Sequence, residues 1–307
     1  MTASGGRAPE SAVGKHLAVA RIVVDGAPAR TNRRGSNVAG ARRMLLQARA
    51  HRTWGKPASF AMTPGGFLQY PFPADYAGRR GWRSRDHDFR ALARWAQAAV
   101  DEFLTPRVLA AARPAADYLT LGVDLHNDVW KGEALRTAGL AAELVAIVET
   151  ASAATVHWTG KSYPTPSQER MLVREPDLDS HRFECRHGRI LVLGCHDLNM
   201  FSNRSRSRLR PGTPRSVCWH EMNRLAGEFA PTAILHHPHS TDSRQIWSVG
   251  WSGARRLLPT GADGRPHVWA SAIAYYNRHG ARQALGDVLE ATACCSRVAY
   301  VVVAGDG

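Results

Sequence analysis

The sequence predicts one α/β domain, and two observations lead to that prediction. Apolar segments rich in β-branched residues alternate with amphipathic segments along nearly the whole chain, a pattern typical of α/β folds rather than of separate helical and sheet regions. The chain has 307 residues, 44% of them hydrophobic, which is enough to bury a sizeable core. Large α/β folds of this length commonly form a single domain.

Nine segments have the composition and length of β-strands. Three of them, between residues 118 and 158, follow one another closely, so that part of the sheet is predicted to be antiparallel or hairpin-linked. The nine segments are 17–24, 59–62, 118–123, 143–149, 155–158, 181–185, 190–195, 233–236 and 268–274.

Helices are predicted where apolar residues recur at a spacing of three or four. The clearest spans 86–104, where Phe89, Leu92, Ala96 and Val100 recur behind an acidic start. The other predicted helices are 37–50, 219–228 and 244–257. The arginine-rich segment 203–213 is predicted to be a loop. Residues 1–15 are polar and rich in Gly, Pro and Ser, so they are expected to form a disordered leader before a domain over 16–307.

Composition favours a soluble cytoplasmic protein. No stretch of about 18 apolar residues could span a bilayer, and the N-terminus lacks the apolar core of a signal peptide. The five cysteines are odd in number and contain no CxxC pair, which argues against a disulfide framework or a zinc ribbon and for a reducing compartment. They are Cys185, Cys195, Cys218, Cys294 and Cys295.

The chain is strongly basic, with 40 Lys and Arg against 26 Asp and Glu and a net charge of +14. Such an excess is compatible with a polyanionic partner. However, the basic residues are spread in short groups, and no RNA- or DNA-binding module is recognisable. Association with nucleic acid is therefore an alternative rather than the leading hypothesis.

Two segments contain residues with the chemistry of a thiol-dependent enzyme. In RILVLGCHDLNMF, four apolar residues predict a buried strand that turns at Gly194 and presents Cys195 at its end. In HWTGKSYPTPSQERML, Lys161 follows a short strand and Glu169 lies eight residues later. An ammonium beside a thiol favours the reactive thiolate and can stabilise an oxyanion. Taken alone, the cysteine fits a small buried hydrophobe and the lysine a surface charge.

The order and spacing of these residues resemble those of the nitrilase, or carbon–nitrogen hydrolase, superfamily. That family has a lysine, then a glutamate, and 30 to 40 residues later an apolar strand ending in Cys-x-Asp, as in Cys195-His196-Asp197. The segments 120–125, 233–240 and 269–277 also resemble family strands. The resemblance implies a four-layer αββα sandwich, a small-molecule substrate and assembly into homodimers or larger oligomers.

The resemblance also implies roles for particular residues. Cys195 would attack a non-peptide C–N bond of an amide or nitrile, Lys161 would stabilise the tetrahedral intermediate, and Glu169 would orient the lysine or assist proton transfer. The substrate pocket would be lined by Tyr163, His196, Asp197 and His237. No metal and no cofactor are implied.

One departure from the family pattern decides whether the chain is expected to be an enzyme. The family places its general-base glutamate directly after a proline, whereas Pro64 is followed here by Gly65. This vacated base position favours a second hypothesis, a catalytically inactive binding or sensor protein. A carboxylate from Asp124 or Asp128 would be a substitute base, and Gly65→Glu would be expected to raise turnover.

A metal-dependent hydrolase is a further alternative. His236, His237, His239 and Asp242 lie at one predicted strand end, and Asp124, His126 and Asp128 lie at another. Adjacent residues on a strand point to opposite faces, so only His237 and His239 could share a site. The sequence contains no P-loop, no GxGxxG after a strand and no GxSxG, so nucleotide-binding and serine-hydrolase functions have no support.

Overall fold

The computed structural model describes residues 17–27, 35–51, 57–126, 140–258, 268–276, 283–294 and 297–305. Its strands are β1 (Val19–Asp25), β2 (Ala58–Met62), β3 (Leu68–Pro71), β4 (Ala116–His126), β5 (Ala141–Glu149), β6 (Ala154–Gly160), β7 (Arg182–Cys185), β8 (Gly188–Leu193), β9 (Ala233–His236), β10 (Val268–Ser271), β11 (Ala274–Tyr275) and β12 (Val298–Ala304). Its helices are α1 (Val38–Ala50), α2 (Asp86–Phe103), α3 (Pro106–Ala112), α4 (Asn203–Arg206), α5 (Pro214–Phe229), α6 (Ser248–Ala254) and α7 (Leu285–Ala291).

The strands form two sheets. The larger has the order β11-β1-β2-β4-β5-β6, with β12 paired to β1 and β3 paired to β4. The pairs β4–β5 and β5–β6 are antiparallel, as the close spacing of these segments predicted. The smaller sheet has the order β10-β9-β8-β7, in which β8, β9 and β10 are parallel.

Alternation along the strands divides the core into layers. On β8, Ile190 and Val192 pack with Phe60 of the larger sheet, whereas Leu191 packs with Trp251 of α6 on the opposite side. Because both faces of β8 are buried, its sequence is continuously apolar rather than alternating.

The larger sheet is covered in the same way on its outer face, where α1, α2 and α3 contribute apolar side chains to a core shared with β4 and β5. The order of layers is therefore helices, larger sheet, smaller sheet, helices. The predicted α/β class and its four-layer αββα sandwich are confirmed.

Each of the nine predicted strand segments contains a strand, but the segment 268–274 divides into β10 and β11, which lie in different sheets. Several other element boundaries also differ from the predictions. Helix α5 begins at Pro214 rather than at residue 219, because the Thr213 side chain accepts a hydrogen bond from the Ser216 N–H and the proline favours the first helical position. A short helix, α4, lies within the predicted loop 203–213. The strands β3 and β12 and the helices α3 and α7 were not predicted. The leader over 1–15, Asp128 and Cys295 lie outside the described residues.

None of the helices in the described segments has the length and apolar character needed to cross a membrane.

Candidate functional site

A row of charged side chains lies at one end of the larger sheet. Asp124 near the end of β4 is paired in register with Glu143 near the start of β5. Lys161 directly follows β6, and its backbone N–H donates to the Glu143 carbonyl at 2.9 Å. Three residues that are distant in sequence are therefore cross-strand neighbours, because antiparallel pairing joins the end of one strand to the start of the next.

The smaller sheet brings Cys195 and His239 to the same place. Cys195 follows β8 and His239 follows β9, and these parallel strands end side by side, with Leu193 opposite His236. The His239 backbone N–H donates to Cys195 Sγ at 3.5 Å. The Cys195 carbonyl accepts a bond from the His236 ring at 2.8 Å, which fixes the backbone that carries the thiol.

The two sets of residues converge. A carboxylate oxygen of Glu143, Cys195 Sγ and a ring nitrogen of His239 all lie within 4.8 Å of one another. Lys161 Nζ donates to both Glu143 oxygens, at 3.0 and 2.9 Å. His239 Nε2 lies 2.7 Å from Asp124 Oδ2. The thiol therefore lies within 4.8 Å of one member of each of two pairs, Lys161–Glu143 and His239–Asp124.

The charges of these groups reinforce each other. Burial alone would raise the pKa of Glu143, but the Lys161 ammonium and the His239 ring lower it to about 2. Burial would lower the pKa of His239, but Asp124, Glu143 and Cys195 raise it well above its usual value. Glu143 is therefore a carboxylate at neutral pH, and His239 holds a proton more strongly than an ordinary imidazole does.

The position of Lys161 relative to Cys195 depends on Asp197. Its Oδ1 accepts the backbone N–H groups of Ser162 and Tyr163 at 2.9 and 2.8 Å, and its Oδ2 accepts that of Gly194 at 2.9 Å. This buried carboxylate thus ties the segment after Lys161 to the turn that carries Cys195. The aspartate two residues after the cysteine joins the two loops rather than lining an open pocket.

Comparisons with known proteins were made at the level of sequence and of structure. No protein-family model and no curated protein matches the sequence. Among solved structures, an amidase from Nesterenkonia sp. is 13% identical with a TM-score of 0.45, covering 86% of this chain and 80% of that one. A carbon-nitrogen hydrolase from Helicobacter pylori G27 is 11% identical with a TM-score of 0.40, covering 82% and 72%. A glutamine-dependent NAD+ synthetase from Acinetobacter baumannii is 11% identical with a TM-score of 0.38, covering 77% and 36%.

Two facing sheets with helices on both outer sides are the layers that the sequence resemblance implies. The fold is nitrilase-like. A shared fold does not transfer an activity, which depends on the residues of the site. In this nitrilase-like chain those residues are only partly the ones that the sequence predicted.

Glu169, expected to orient Lys161, lies in a different contact. Its carboxylate accepts from the Arg215 guanidinium at 2.7 Å. The carboxylate bonded to the lysine is that of Glu143, which also accepts from Gln168 Nε2 at 3.1 Å. Glu143 begins a predicted strand and Asp124 directly follows the predicted strand before it. The predicted antiparallel pairing of these two strands is the sequence signal that could have indicated Glu143.

Gly65 lies beside the site, but the space next to it is filled. A Cβ atom built on Gly65 would lie 2.7 Å from the His237 carbonyl oxygen and 3.2 Å from His239 Nδ1. One built on Gly66, whose φ is +65°, would lie 2.7 Å from Asp124 Oδ2. The expected gain of turnover from Gly65→Glu therefore meets a backbone obstacle, because the glutamate would have to displace the His237 carbonyl.

The remaining predicted pocket residues have defined packing partners. The Tyr163 ring lies under the Arg215 guanidinium, with Arg215 Cζ 4.6 Å from the centre of the ring. The His196 ring packs edge-on against Trp247, and burial together with Lys161 lowers the pKa of His196 to about 3. The His237 ring is bonded to the Thr63 carbonyl at 2.7 Å, and burial lowers its pKa to about 4.

A thiol, an imidazole and a carboxylate form a ligand set that Zn²⁺ accepts. Among the described residues these donors are Cys195, His239 and Glu143, and of the residues named for the metal-site alternative only His239 is one of them. His236 and His237 bond to Ser271 and Thr63 instead. A dication at Glu143 would face the Lys161 ammonium that already binds both carboxylate oxygens, which favours the site without a metal.

Proposed function

We propose that this protein is a cysteine-dependent hydrolase of a non-peptide C–N bond in a small-molecule amide or nitrile. Cys195 attacks the carbonyl or nitrile carbon, and Lys161 stabilises the negative charge that develops on the substrate. The convergence of Cys195, His239 and Glu143 within 4.8 Å, with Lys161 bonded to Glu143, is the observation that supports this proposal.

The burial of Lys161 is part of the support. Its side chain is 1% exposed and its only charged partner among the described residues is Glu143. Burying such a pair seldom stabilises a fold, because desolvation offsets most of the attraction. A fixed, buried ammonium on the same carboxylate that approaches the thiol is instead suited to binding an oxyanion, since its geometry needs no rearrangement during the reaction.

The reaction with an amide proceeds in two halves. The Cys195 sulfur forms a bond to the carbonyl carbon while the C=O π electrons move to oxygen. The tetrahedral intermediate then collapses, the C–N bond breaks, and the amine leaves with an added proton. Water attacks the resulting thioester, the S–C bond breaks, and a carboxylic acid is released.

Two other functions would require different features of the protein. A ligand-binding protein without activity needs the pocket but no reactive thiol. A nucleic-acid-associated protein would use exposed arginines such as Arg204, Arg206 and Arg208 on and after α4, and would show binding that weakens steeply with salt. Thiol reactivity separates the cysteine-dependent hydrolase from both alternatives.

We expect a limiting amount of iodoacetamide to label Cys195 before the other cysteines at pH 7. Burial raises the pKa of Cys218 to about 12 and also raises that of Cys185, so these two are almost entirely protonated thiols. Labelling is read by mass spectrometry of the digested protein. The control Cys218→Ala should leave both the labelled position and its rate unchanged.

The lysine is tested in a form that avoids leaving one buried charge. The double variant Lys161→Met with Glu143→Gln removes both members of the pair, and the labelling preference for Cys195 should fall at least tenfold. Uniform labelling of the wild-type cysteines, or none at Cys195, would contradict the proposed function. Screening of simple amides and nitriles, with Cys195→Ala as the control and with EDTA present, tests turnover and the metal-dependent alternative together.

A further inference from the structure

We propose that His239, held by Asp124, is the proton acceptor and donor of this site, in place of the glutamate that the family resemblance implies at position 65. This inference rests on the proposed function and adds a catalytic residue to it. The observations that carry it are the filled space beside two glycines, the contacts of the His239 ring, and the position of the thiol.

The first observation concerns volume. The Gly65 Cβ position lies 3.1 Å from His239 Cε1, and the Gly66 Cβ position lies 3.2 Å from His239 Cδ2. Side chains at 65 and 66 would therefore compete with the imidazole ring and, at 66, with the Asp124 carboxylate. The absence of side chains at these two positions is what allows a histidine–aspartate pair to stand next to Cys195.

The second observation concerns orientation. His239 Nε2 is bonded to Asp124 Oδ2 at 2.7 Å, and Nδ1 lies 3.6 Å from Glu143 Oε2. With Nε2 engaged by the aspartate, Nδ1 is the ring nitrogen left to exchange a proton with Cys195 or a substrate. A thiol within 4.8 Å of an imidazole nitrogen, with the imidazole bonded to a carboxylate, forms the arrangement of a nucleophile, a base and an orienting group.

The third observation concerns the charges around the ring. Asp124 from β4, Glu143 from β5 and Cys195 after β8 raise the basicity of His239 against the effect of burial. The other titratable groups in the described part of the site that interact with it or its partners are Lys161, His196 and His236. Glu143 is held by the lysine and has a pKa lowered to about 2, so it is a poor base. His239 is the stronger proton acceptor beside the sulfur.

The proton transfers through His239 balance over one turnover. The Cys195 thiol proton moves to His239, and the thiolate forms the S–C bond. When the C–N bond breaks, the His239 proton goes to the leaving amine, which leaves a neutral ring. That ring takes a proton from water as the hydroxide attacks the thioester. The thiolate leaves, and the thiolate–imidazolium pair is restored with release of a carboxylic acid.

The test measures the rate of Cys195 alkylation by iodoacetamide between pH 5 and pH 9, which needs no knowledge of the substrate. A free thiol with an ordinary pKa near 8.5 is only about 1% thiolate at pH 6.5. We therefore expect His239→Ala to alkylate about 10- to 100-fold more slowly than the wild type at pH 6.5 and to approach it above pH 8.5. A role in packing alone would lower the rate equally at every pH.

Two further variants keep the test decisive if the alanine variant folds poorly. His239→Gln retains a polar side chain of similar size without a titrating group, and should show the same shift of the profile. Asp124→Asn keeps the ring but removes its charge partner, and should give an intermediate profile. The exposed His220→Ala on α5 is the matched control and should follow the wild type.

The outcomes separate this inference from the proposed function. If wild-type Cys195 is labelled selectively but folded His239→Ala and His239→Gln retain the wild-type pH profile, His239 is not the proton acceptor and the proposed function survives. If wild-type Cys195 shows no selective labelling, the proposed function is contradicted, and the role of His239 falls with it. Selective labelling with the expected shift supports both.

Discussion

At the scale of single residues, the ion pair of Glu143 and Lys161 links stability to the chemistry of the site. The lysine is buried, and both carboxylate oxygens of its partner are used in binding it. Removing one partner leaves an uncompensated charge in a region of low dielectric, which is far more destabilising than the intact pair is stabilising. The pair thus holds Glu143 and Lys161 in fixed positions and contributes little to stability.

We expect Glu143→Gln to lower the free energy of unfolding by about 3–5 kcal/mol at pH 7, measured by urea denaturation. The exposed Glu228→Gln, which breaks an i,i+4 pair with Arg224 on α5, is the control and should change it by at most about 0.5 kcal/mol. Equal stability of Glu143→Gln and the wild type at pH 7 would show that Glu143 and Lys161 do not form a buried ion pair.

The same residue predicts a dependence on acid. The pKa of Glu143 is lowered from 4.5 to about 2 on folding. A carboxyl whose folded pKa is depressed stabilises the protein above its unfolded pKa, and that contribution is lost as the pH falls towards the folded value. The difference in stability between the wild type and Glu143→Gln should therefore shrink between pH 4.5 and pH 3. A constant difference over this range would show that Glu143 does not titrate as described.

At the scale of elements, Asp197 sets the distance between the ends of β6 and β8. It accepts three backbone N–H groups from two loops and is itself buried. No other described side chain bridges the Lys161 loop and the Cys195 turn with as many bonds. Hydrogen bonds to a charged acceptor contribute about 1.5–3 kcal/mol each when intact, so the positions of both Lys161 and Cys195 depend on this carboxylate.

We expect Asp197→Ala to lower the free energy of unfolding by about 3 kcal/mol or more, because three buried donors lose their acceptor. We also expect it to reduce the selectivity of Cys195 labelling in the protein that remains folded. Asp179→Asn, at an exposed carboxylate paired with Arg182, is the control for both measurements. Unchanged labelling in a destabilised Asp197→Ala would assign the aspartate to folding alone.

At the scale of the whole molecule, the four layers place the site where the two sheets meet. The larger sheet supplies the charged row and the smaller sheet supplies the thiol and the imidazole, each from strand ends. Rigid strands on both sides fix these groups more closely than loops alone would. Any change that shifts one sheet relative to the other should therefore affect reactivity before it affects overall folding.

Assembly is a second property of the whole molecule. The homodimer implied by the family resemblance stays a prediction, and large apolar side chains such as Trp95 and Val156 are 45% exposed on α2 and β6. We expect light scattering to give about twice the mass of one chain, at low and at high salt. The salt comparison controls for association driven by the net charge of +14. The mass of a single chain at all concentrations would contradict the prediction.

The sequence alone determined most of the strands, the antiparallel segment and the cysteine at the end of a buried strand, because these depend on local periodicity and composition. The clearest case is α2, whose apolar spacing and acidic start predicted its limits to within one residue. By contrast, α3 was not predicted, although Thr105 and Pro106 form a local capping signal at its start.

Only the tertiary structure decided which groups surround the thiol. Glu143 meets Lys161 through the register of β5 with β6, and His239 meets Cys195 because β8 and β9 are parallel neighbours. Such contacts join residues 18 and 44 positions apart in the sequence, and no local pattern encodes them. Gly65 shows the same limit: the sequence shows a glycine where the family resemblance implies a glutamate, whereas only the packing of the two sheets shows that an imidazole and a carboxylate occupy the space beside Gly65 and Gly66.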